Sequence, residues 1–318
     1  MATDTHFDRT RLTPILSALA QAGVFIGTSS WKYAGWRGML YDEARYVYRG
    51  KFAEKRFDQN CLTEYGEVFK TVCGDFTYYR FPSEKMLEEL CAQVPSDFLF
   101  TFKVTDHITI KKYTNLPRFG VNAGKPNEHF LDADLFQSVF LKPCEKIKQN
   151  IGILIFEFSH FHQSDFERGR DFVEALDQFL ARLPKDWRYG VEIRNRNFLH
   201  LEYFATLRKH GVAHVYNSWA DMPTVTEQMQ QPDSQTADEF SAARFLLKPG
   251  RNYEEAVQEL SPYEEVKEVN EEARQAGAKL IQQAKQKARK TFIYVNNRLE
   301  GNALETISAI IEKQAGPG

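Results

Sequence analysis

The amino-acid sequence predicts an α/β protein built as a single barrel of eight parallel strands, each followed by a helix. Three observations predict this fold. A short apolar or β-rich run recurs about eight times, a helical pattern usually follows each run, and no low-complexity linker interrupts the 318 residues. Regular alternation of strands and helices is the pattern of parallel α/β folds. We therefore interpret residues 1–318 as one domain, and 42% hydrophobic residues are enough to give it a core.

The predicted strands are short runs of the kind that helices cover on one side. In chain order they are VFIGTSSW (24–31), FKTVCGDFTYY (69–79), FLFTFKVT (98–105), IGILIFEF (151–158), YGVEIRN (189–195), VAHVYNSW (212–219), ARFLLKPG (243–250) and TFIYVNN (291–297). Each run is short and bounded by polar segments, which favours a strand over a helix.

The predicted helices lie between these runs, where apolar residues recur at three- and four-residue spacing. They are SEKMLEELCAQV (83–94), DFVEALDQFLARL (171–183), LEYFATLRKHG (201–211), the charged segment EEVKEVNEEARQAGAKLIQQAKQKARK (264–290) and NALETISAIIEKQ (302–314). Two long connections, 32–60 and 106–131, follow the first and third strands. We expect both at the mouth of the barrel, the C-terminal face where sites form in such folds.

Composition excludes several classes of function. The chain has 41 Lys and Arg against 43 Asp and Glu, so its overall charge gives no reason to expect nucleic acid or an anionic membrane as partner. No apolar run approaches the roughly 20 residues that cross a bilayer, and the first 25 residues are too polar for a secretory signal. We expect a cytoplasmic protein. Cys61, Cys73, Cys91 and Cys144 form no C-x-x-C pair, which argues against a zinc cage and favours reduced core thiols.

Charged residues come at the ends of several predicted strands. Side chains alternate between the two faces of a strand, so Glu192 and Arg194 point to the same side, away from Val191 and Ile193. The same parity places Lys103 and Glu157 inside the barrel. Three bases would then balance three acids at the mouth: Lys103, Arg194 and Lys248, with Asp75, Glu157 and Glu192.

Such a charge cluster has two interpretations. Buried ions are costly unless they are paired, so the cluster could be a self-neutralising network that only closes the barrel. The alternative is a ligand site, with Glu157 and Glu192 as an acid–base pair and Lys103 as a base or Schiff-base amine of lowered pKa. The leading hypothesis is an enzyme of hydrolase, lyase or isomerase type, although whether the protein is an enzyme is left open.

The expected ligand is a small anionic or phosphorylated polar molecule. Arg194 can bind a carboxylate or phosphate with two parallel hydrogen bonds, and a helix that begins after Gly301 and Asn302 can bind an anion at its N-terminus. Aromatic residues, among them Trp36 and Tyr78, could stack on a sugar or a base. The candidate binding residues are Arg194, Asp75, Tyr79, Trp31, Lys248, Asn296 and Asn297.

Metal and nucleic acid are less favoured ligands. The ligand types Asp75, Glu157, Glu192, His107, His160 and His162 are present, but without the fixed spacing of a known metal motif. A divalent metal is therefore not favoured, and no cofactor is predicted. A nucleic-acid module is the alternative function, and it would use the basic and aromatic residues of the second long connection. These are Lys111, Lys112, Tyr113, Arg118, Phe119 and Lys125. The oligomeric state is not predicted.

Several motifs resemble those of a known family. The segments IGTSSWKYAGWRGMLY, FTYYRFP, DFLFTFKVTDHIT, GVEIRN and IYVNNRLEGNA are similar, in this order, to the YecE-like proteins (domain of unknown function 72). The resemblance implies a TIM-type barrel related to the xylose-isomerase-like barrels and implies no activity. Positions that match include Gly27, Trp31, Thr77, Tyr79, Pro82, Lys103, Glu192, Arg194, Asn296 and Asn297. Positions that depart from the family pattern are Cys73, Asp75, Glu157, Asn195, Leu247 and Pro249, the last two replacing an Arg and a His.

Overall fold

Eight parallel strands close into a barrel in the computed structural model, which describes residues 6–315. The strands are β1 (Val24–Thr28), β2 (Thr71–Gly74), β3 (Leu99–Lys103), β4 (Ile151–Phe158), β5 (Tyr189–Ile193), β6 (Ala213–Ser218), β7 (Phe240–Phe245) and β8 (Lys290–Val295). Their order around the barrel is the chain order, and β1 closes the ring by pairing with both β8 and β2. The predicted fold class is therefore confirmed.

Helices surround the barrel. The α-helices are Arg9–Gln21, Glu54–Val68, Glu84–Cys91, Asp106–Thr109, Ala133–Leu135, Lys142–Cys144, Gly169–Ala181, Leu201–Lys209, Val225–Gln230, Tyr253–Leu260, Glu271–Lys287 and Ala303–Ala315. Short 3₁₀ segments are Ala34–Trp36, Glu43–Tyr46, Phe76–Tyr78, Pro117–Asn122, Glu145–Asn150 and Arg196–Phe198, and Phe136–Leu141 is a π-helical turn. Within the described residues, no helix has the length and apolarity to cross a membrane.

The predicted alternation of faces is confirmed along the strands. Ile153 and Ile155 of β4 lie in a small cluster inside the barrel, whereas Val191 and Ile193 of β5 belong to the larger outer core. Gly190 faces the interior, where a Cβ atom would lie 2.7 Å from a methyl carbon of Val215. The alternation of residues thus determines which face of each strand points inward, and the polar residues at the end of the strand continue that face at the mouth of the barrel.

Several predicted boundaries are wrong; the second strand, for example, ends at Gly74 rather than at residue 79. The seventh strand is Phe240–Phe245 rather than 243–250, so Leu247, Lys248 and Pro249 lie beyond its end. The charged helix begins at Glu271 rather than at 264, because the side chain of Asn270 accepts a hydrogen bond from Ala273 N and caps the helix there. The helix Arg9–Gln21, which precedes β1, lies outside all the predicted elements.

Candidate functional site

Six charged side chains meet at the mouth of the barrel. They are Asp75 after β2, Lys103 of β3, Glu157 of β4, Glu192 and Arg194 at the end of β5, and Arg244 of β7. Five of these side chains are at most 11% exposed, and Asp75 is 32% exposed. We call these six residues the ionic floor. Three cations balance three carboxylates in it, as predicted, but Arg244 takes the place of Lys248.

Glu157 is the centre of the ionic floor. Its Oε2 atom lies 2.7 Å from Lys103 Nζ, 2.8 Å from Arg194 Nη2 and 3.1 Å from Arg244 Nη1. Burial by itself would raise the pKa of this carboxyl, but the three cations outweigh burial and hold its pKa well below the ordinary 4.5. Glu157 is therefore a fixed negative charge and not a proton donor at neutral pH.

Arg244 also contacts the other two carboxylates of the ionic floor, those of Glu192 and Asp75. Its Nη1 donates to Glu192 Oε2 at 2.6 Å, and its Nη2 lies 3.4 Å from Asp75 Oδ1. Its side chain is 2% exposed, and its Nε is buried without a hydrogen-bond partner among residues 6–315. The predicted seventh strand contained Arg244 but extended to residue 250, so the mouth of the barrel was assigned to Lys248 and Arg244 was missed. The apolar run FSAARFLL around it is the signal that could have shown a strand beginning at Phe240.

Lys103 is charged, contrary to the role predicted for it. Burial would lower the pKa of its ammonium group, yet Asp75 and Glu157 outweigh burial and raise the pKa above its ordinary value. Its Nζ also lies 4.1 Å from the centre of the Tyr78 ring, a cation–π contact. A Schiff-base amine or a general base needs the opposite shift, so this prediction for Lys103 is not supported.

A cavity of about 660 Å³ lies above the ionic floor. Asp75, Lys103, Glu157, Arg194 and Arg244 are among its lining residues, whereas Glu192 is fully buried beneath them. Glu192 cannot touch a ligand from that position, which removes it from the predicted acid–base pair. The second long connection covers one side of the cavity, from Thr109 to Arg118 with Gly124. The first, 32–60, follows β1 at the same end of the barrel and contributes no lining residue in the described part of the chain.

The lining of the cavity carries more positive than negative charge. Seven cations, Lys103, Lys111, Lys112, Arg118, Arg194, Arg244 and Arg298, face three carboxylates, Asp75, Glu157 and Asp165. Arg118 is paired with the buried Asp106. The cations of the ionic floor are paired with the carboxylates of the same cluster. Arg298, Lys111 and Lys112 have no carboxylate within 4.0 Å among residues 6–315.

Arg298 is the most distinctive of these cations. Its guanidinium carbon lies 4.7 Å from the centre of the Tyr253 ring, so one face of the group is covered by the aromatic side chain. Its Nε is buried and has no hydrogen-bond partner in the described part of the molecule. A cavity-lining guanidinium held by stacking alone retains its donors for an anion.

Comparison with known proteins supplies the family. Residues 25–316 match the profile of the family described as "Protein of unknown function DUF72". The chain belongs to the DUF72 family. This assignment agrees with the resemblance to YecE-like proteins and carries no activity with it. No curated protein sequence matches this DUF72 chain.

Two solved structures of DUF72 family proteins share the fold. One, from Thermotoga maritima, has 18% sequence identity and a TM-score of 0.56, over 92% of this chain and 99% of the other. Another, from Enterococcus faecalis V583, has 16% identity and a TM-score of 0.59, over 93% and 98% of the two chains. At these identities the comparison supports the barrel and nothing about its ligand.

Several residues predicted to bind a ligand lie elsewhere in the DUF72 barrel. Lys248 pairs with Glu268 on the surface, and its side chain is 45% exposed, because β7 ends three residues earlier. Trp31 is buried with its ring 6.1 Å from that of Phe76 and does not line the cavity. Tyr79 does line the cavity and is exposed at its rim.

The side chains of Asn296 and Asn297 accept hydrogen bonds from backbone N–H groups and do not line the cavity. Asn296 Oδ1 accepts a hydrogen bond from Arg298 N at 2.9 Å, and Asn297 Oδ1 accepts one from Ala303 N at 2.8 Å. The amide oxygen of Asn302 accepts from Leu304 N at 2.9 Å. Side chains thus already satisfy the N-terminus of the last helix, and the anion site predicted there is wrong.

No metal centre is evident at this site. Within residues 6–315, no group of three or more His, Cys, Asp or Glu side chains is arranged to hold a metal ion. The carboxylates of Asp75 and Glu157 are already neutralised by protein cations, and His160 and His162 line the cavity at a ring separation of 5.8 Å. Cys73 stands below the ionic floor, where burial raises the pKa of its thiol to about 12.

Proposed function

We propose that this DUF72 protein binds a small anionic or phosphorylated polar molecule in the mouth of its barrel. The observation that carries the proposal is Arg298, a cavity-lining guanidinium with no carboxylate partner in the described residues. Lys111 and Lys112 add two further cations to the same cavity, and neither has a carboxylate within 4.0 Å among residues 6–315. An anion would neutralise positive charge that no described carboxylate pairs with.

The ionic floor supports binding by rigidity. Arg194 is held between Glu157 and Glu192, and its guanidinium carbon lies 3.7 Å from the centre of the Trp219 ring. Lys103 is fixed in the same way between Glu157 and Tyr78. Side chains that are already ordered lose little conformational entropy on binding, so the floor presents preorganised N–H donors to a ligand.

If the protein acts on its ligand, the floor favours electrostatic rather than acid–base catalysis. Lys103 and Glu157 are both held in their charged forms, so neither exchanges a proton near neutral pH. Fixed cations can stabilise negative charge that develops in a transition state without reorganising. A hydrolase, lyase or isomerase built on this geometry would take its proton-transfer group from elsewhere in the cavity, where His160 and His162 are the available imidazoles.

Calorimetric titration with inorganic phosphate, a hexose phosphate and a nucleoside monophosphate tests the proposal. Arg298→Ala should weaken hexose phosphate binding by about tenfold or more, since a hydrogen bond between charged groups contributes roughly 1.5–3 kcal/mol. Lys248→Ala is the matched control, because it removes a cation beyond β7 that does not line the cavity. Its affinity should equal that of the wild type.

Two results would contradict the proposal. The first is the absence of any binding heat with all three compounds at low ionic strength. The second is equal affinity in the Arg298→Ala and Lys248→Ala variants. A single-stranded oligonucleotide in the same titration covers the alternative function, since its affinity would fall steeply as salt is added.

A further inference from the structure

A second pocket lies at the opposite end of the barrel from the mouth. Its volume is about 570 Å³, and it is formed where β4, β5 and β8 begin, beside the 3₁₀ segment Glu145–Asn150. Its lining residues are Glu145, Lys146, Lys148, Gln149, Ile151, Asp186, Trp187, Arg188 and Lys290. Four cations and two carboxylates therefore face this pocket.

The two outer lysines of the pocket are paired. Lys148 forms an ion pair with Asp186, and Lys146 Nζ lies 2.7 Å from Glu84 and 3.3 Å from Glu88. Their charges are compensated by the protein.

Arg188 and Lys290 have no such compensation. Neither has a carboxylate within 4.0 Å in the part of the chain that the structure describes. The Nε of Arg188 donates to Gly152 O at 2.5 Å and its Nη2 donates to Ile151 O at 2.7 Å, which leaves Nη1 without a protein partner among residues 6–315. Lys290 Nζ lies 5.9 Å from the centre of the Phe25 ring, and its ammonium group has no hydrogen bond within the described chain.

Both cations are also partly buried. Burial, and then the charge of Arg188, lower the pKa of Lys290, and burial lowers the pKa of Arg188 against the attraction of the more distant Glu239. Asp186 of the same pocket is paired with Lys148, and Glu145 has no ion pair with either group among residues 6–315, so the two like charges repel each other without a close counterion. Arg188 has a structural role at the two carbonyls, but that role needs no second cation beside it.

We propose that this pocket is a second binding site, in which Arg188 and Lys290 hold an oxyanion of the phosphate type. The Nη1 group of Arg188 and the ammonium group of Lys290 are the donors left for it. Two of the five guanidinium N–H donors are used by carbonyl groups, so Nη1 keeps both of its N–H groups for a small tetrahedral anion. The site is independent of the mouth and of the function proposed for it.

Chemical modification of lysines tests this site separately from the mouth. The intact protein is treated with a limiting amount of acetic anhydride, and the acetylation rate of each lysine is measured by mass spectrometry with increasing inorganic phosphate. Chloride keeps the ionic strength constant. Phosphate should slow the acetylation of Lys290 by roughly tenfold when it is in about tenfold excess over its dissociation constant. Lys285, on the exposed side of the helix Glu271–Lys287, is the internal control and should be unaffected.

Variants separate the two sites. Protection of Lys290 should persist in Arg298→Ala, while protection of Lys112 in the mouth is lost there. In Lys290→Gln, phosphate should still protect Lys112 but should raise the melting temperature less than in the wild type. Unchanged acetylation of Lys290 at every phosphate concentration would overturn the second site, whatever happens at Lys112. Protection of Lys285 to the same extent as Lys290 would overturn it as well.

Discussion

Glu157→Gln is the substitution that most directly perturbs the ionic floor. The change keeps the size of the side chain and removes one negative charge from an oxygen that contacts three cations within 3.1 Å. Removing one partner from a buried ion pair leaves the others uncompensated, which costs about 3–5 kcal/mol. We expect a loss of this size in the free energy of unfolding at pH 7. With a denaturant dependence near 3 kcal/mol per molar, the urea midpoint should fall by about 1 to 2 M.

Asp75→Asn is the matched control for this measurement. Asp75 belongs to the same cluster, but its side chain is 32% exposed and its contacts with Lys103 and Arg244 are longer, at 3.5 and 3.4 Å. A solvated pair of this kind contributes about 1 kcal/mol or less. Urea denaturation followed by circular dichroism compares both variants with the wild type. Equal losses in the two variants, or a loss below 1 kcal/mol in Glu157→Gln, would refute the reasoning that burial sets the cost.

The pH dependence of stability provides a second test of the Glu157→Gln substitution. A carboxyl whose pKa is lowered in the folded state stabilises that state at pH values above its ordinary pKa of 4.5, and the stabilisation is lost as the pH falls toward the folded-state pKa. Wild-type stability should therefore decrease below about pH 4.5 more steeply than the stability of Glu157→Gln. Parallel pH profiles would show that Glu157 does not carry this linkage.

The remaining predictions concern other residues. Arg244→Met should lower the free energy of unfolding by about 3–5 kcal/mol, because it leaves buried carboxylates without a cation. Lys248→Met should change it by less than about 1 kcal/mol. Urea denaturation of the two variants measures both losses, and equal values would contradict the prediction. Burial lowers the pKa of His214 to about 4, so between pH 6.5 and pH 4 the unfolded chain binds a proton that the folded protein excludes. The free energy of unfolding should therefore fall as the pH drops through this range. A wild-type profile no steeper than that of His214→Gln would argue against this role of His214. Among the cysteines, Cys91 is half-buried and the other three are buried, so iodoacetamide should modify Cys91 first. Peptide mapping after limited alkylation measures the order of labelling. Faster labelling of any other cysteine would be inconsistent with the fold.

The family resemblance and the fold were both readable in the chain because they depend on local patterns. Segments such as IGILIFEF (151–158) and YGVEIRN (189–195) have the length and apolarity of buried strands, and the structure places strands at Ile151–Phe158 and Tyr189–Ile193. The alternation of side chains along a strand then fixed which residues point inward. For this reason Lys103, Glu157, Glu192 and Arg194 meet at one end of the barrel as predicted.

The partners of those residues depended on tertiary structure. Whether Arg244 or Lys248 completes the ionic floor depends on where β7 ends, and that end is set by pairing with β6 and β8 rather than by the apolar run itself. The direction of the pKa shift of Lys103 depends on two carboxylates from other strands. No spacing in the sequence contains that information, since each contact joins segments far apart in the chain.

The sequence by itself determined the barrel, the inward face of each strand and the presence of charge at the mouth, because side-chain direction along a strand follows from residue parity. Only the tertiary structure decided that Glu192 lies beneath the cavity, that side chains cap the last helix, and that Arg298 lines the cavity without an acidic partner among the described residues. Burial and the balance of charge in a pocket are sums over several strands and loops. They exist only once those segments have been brought together.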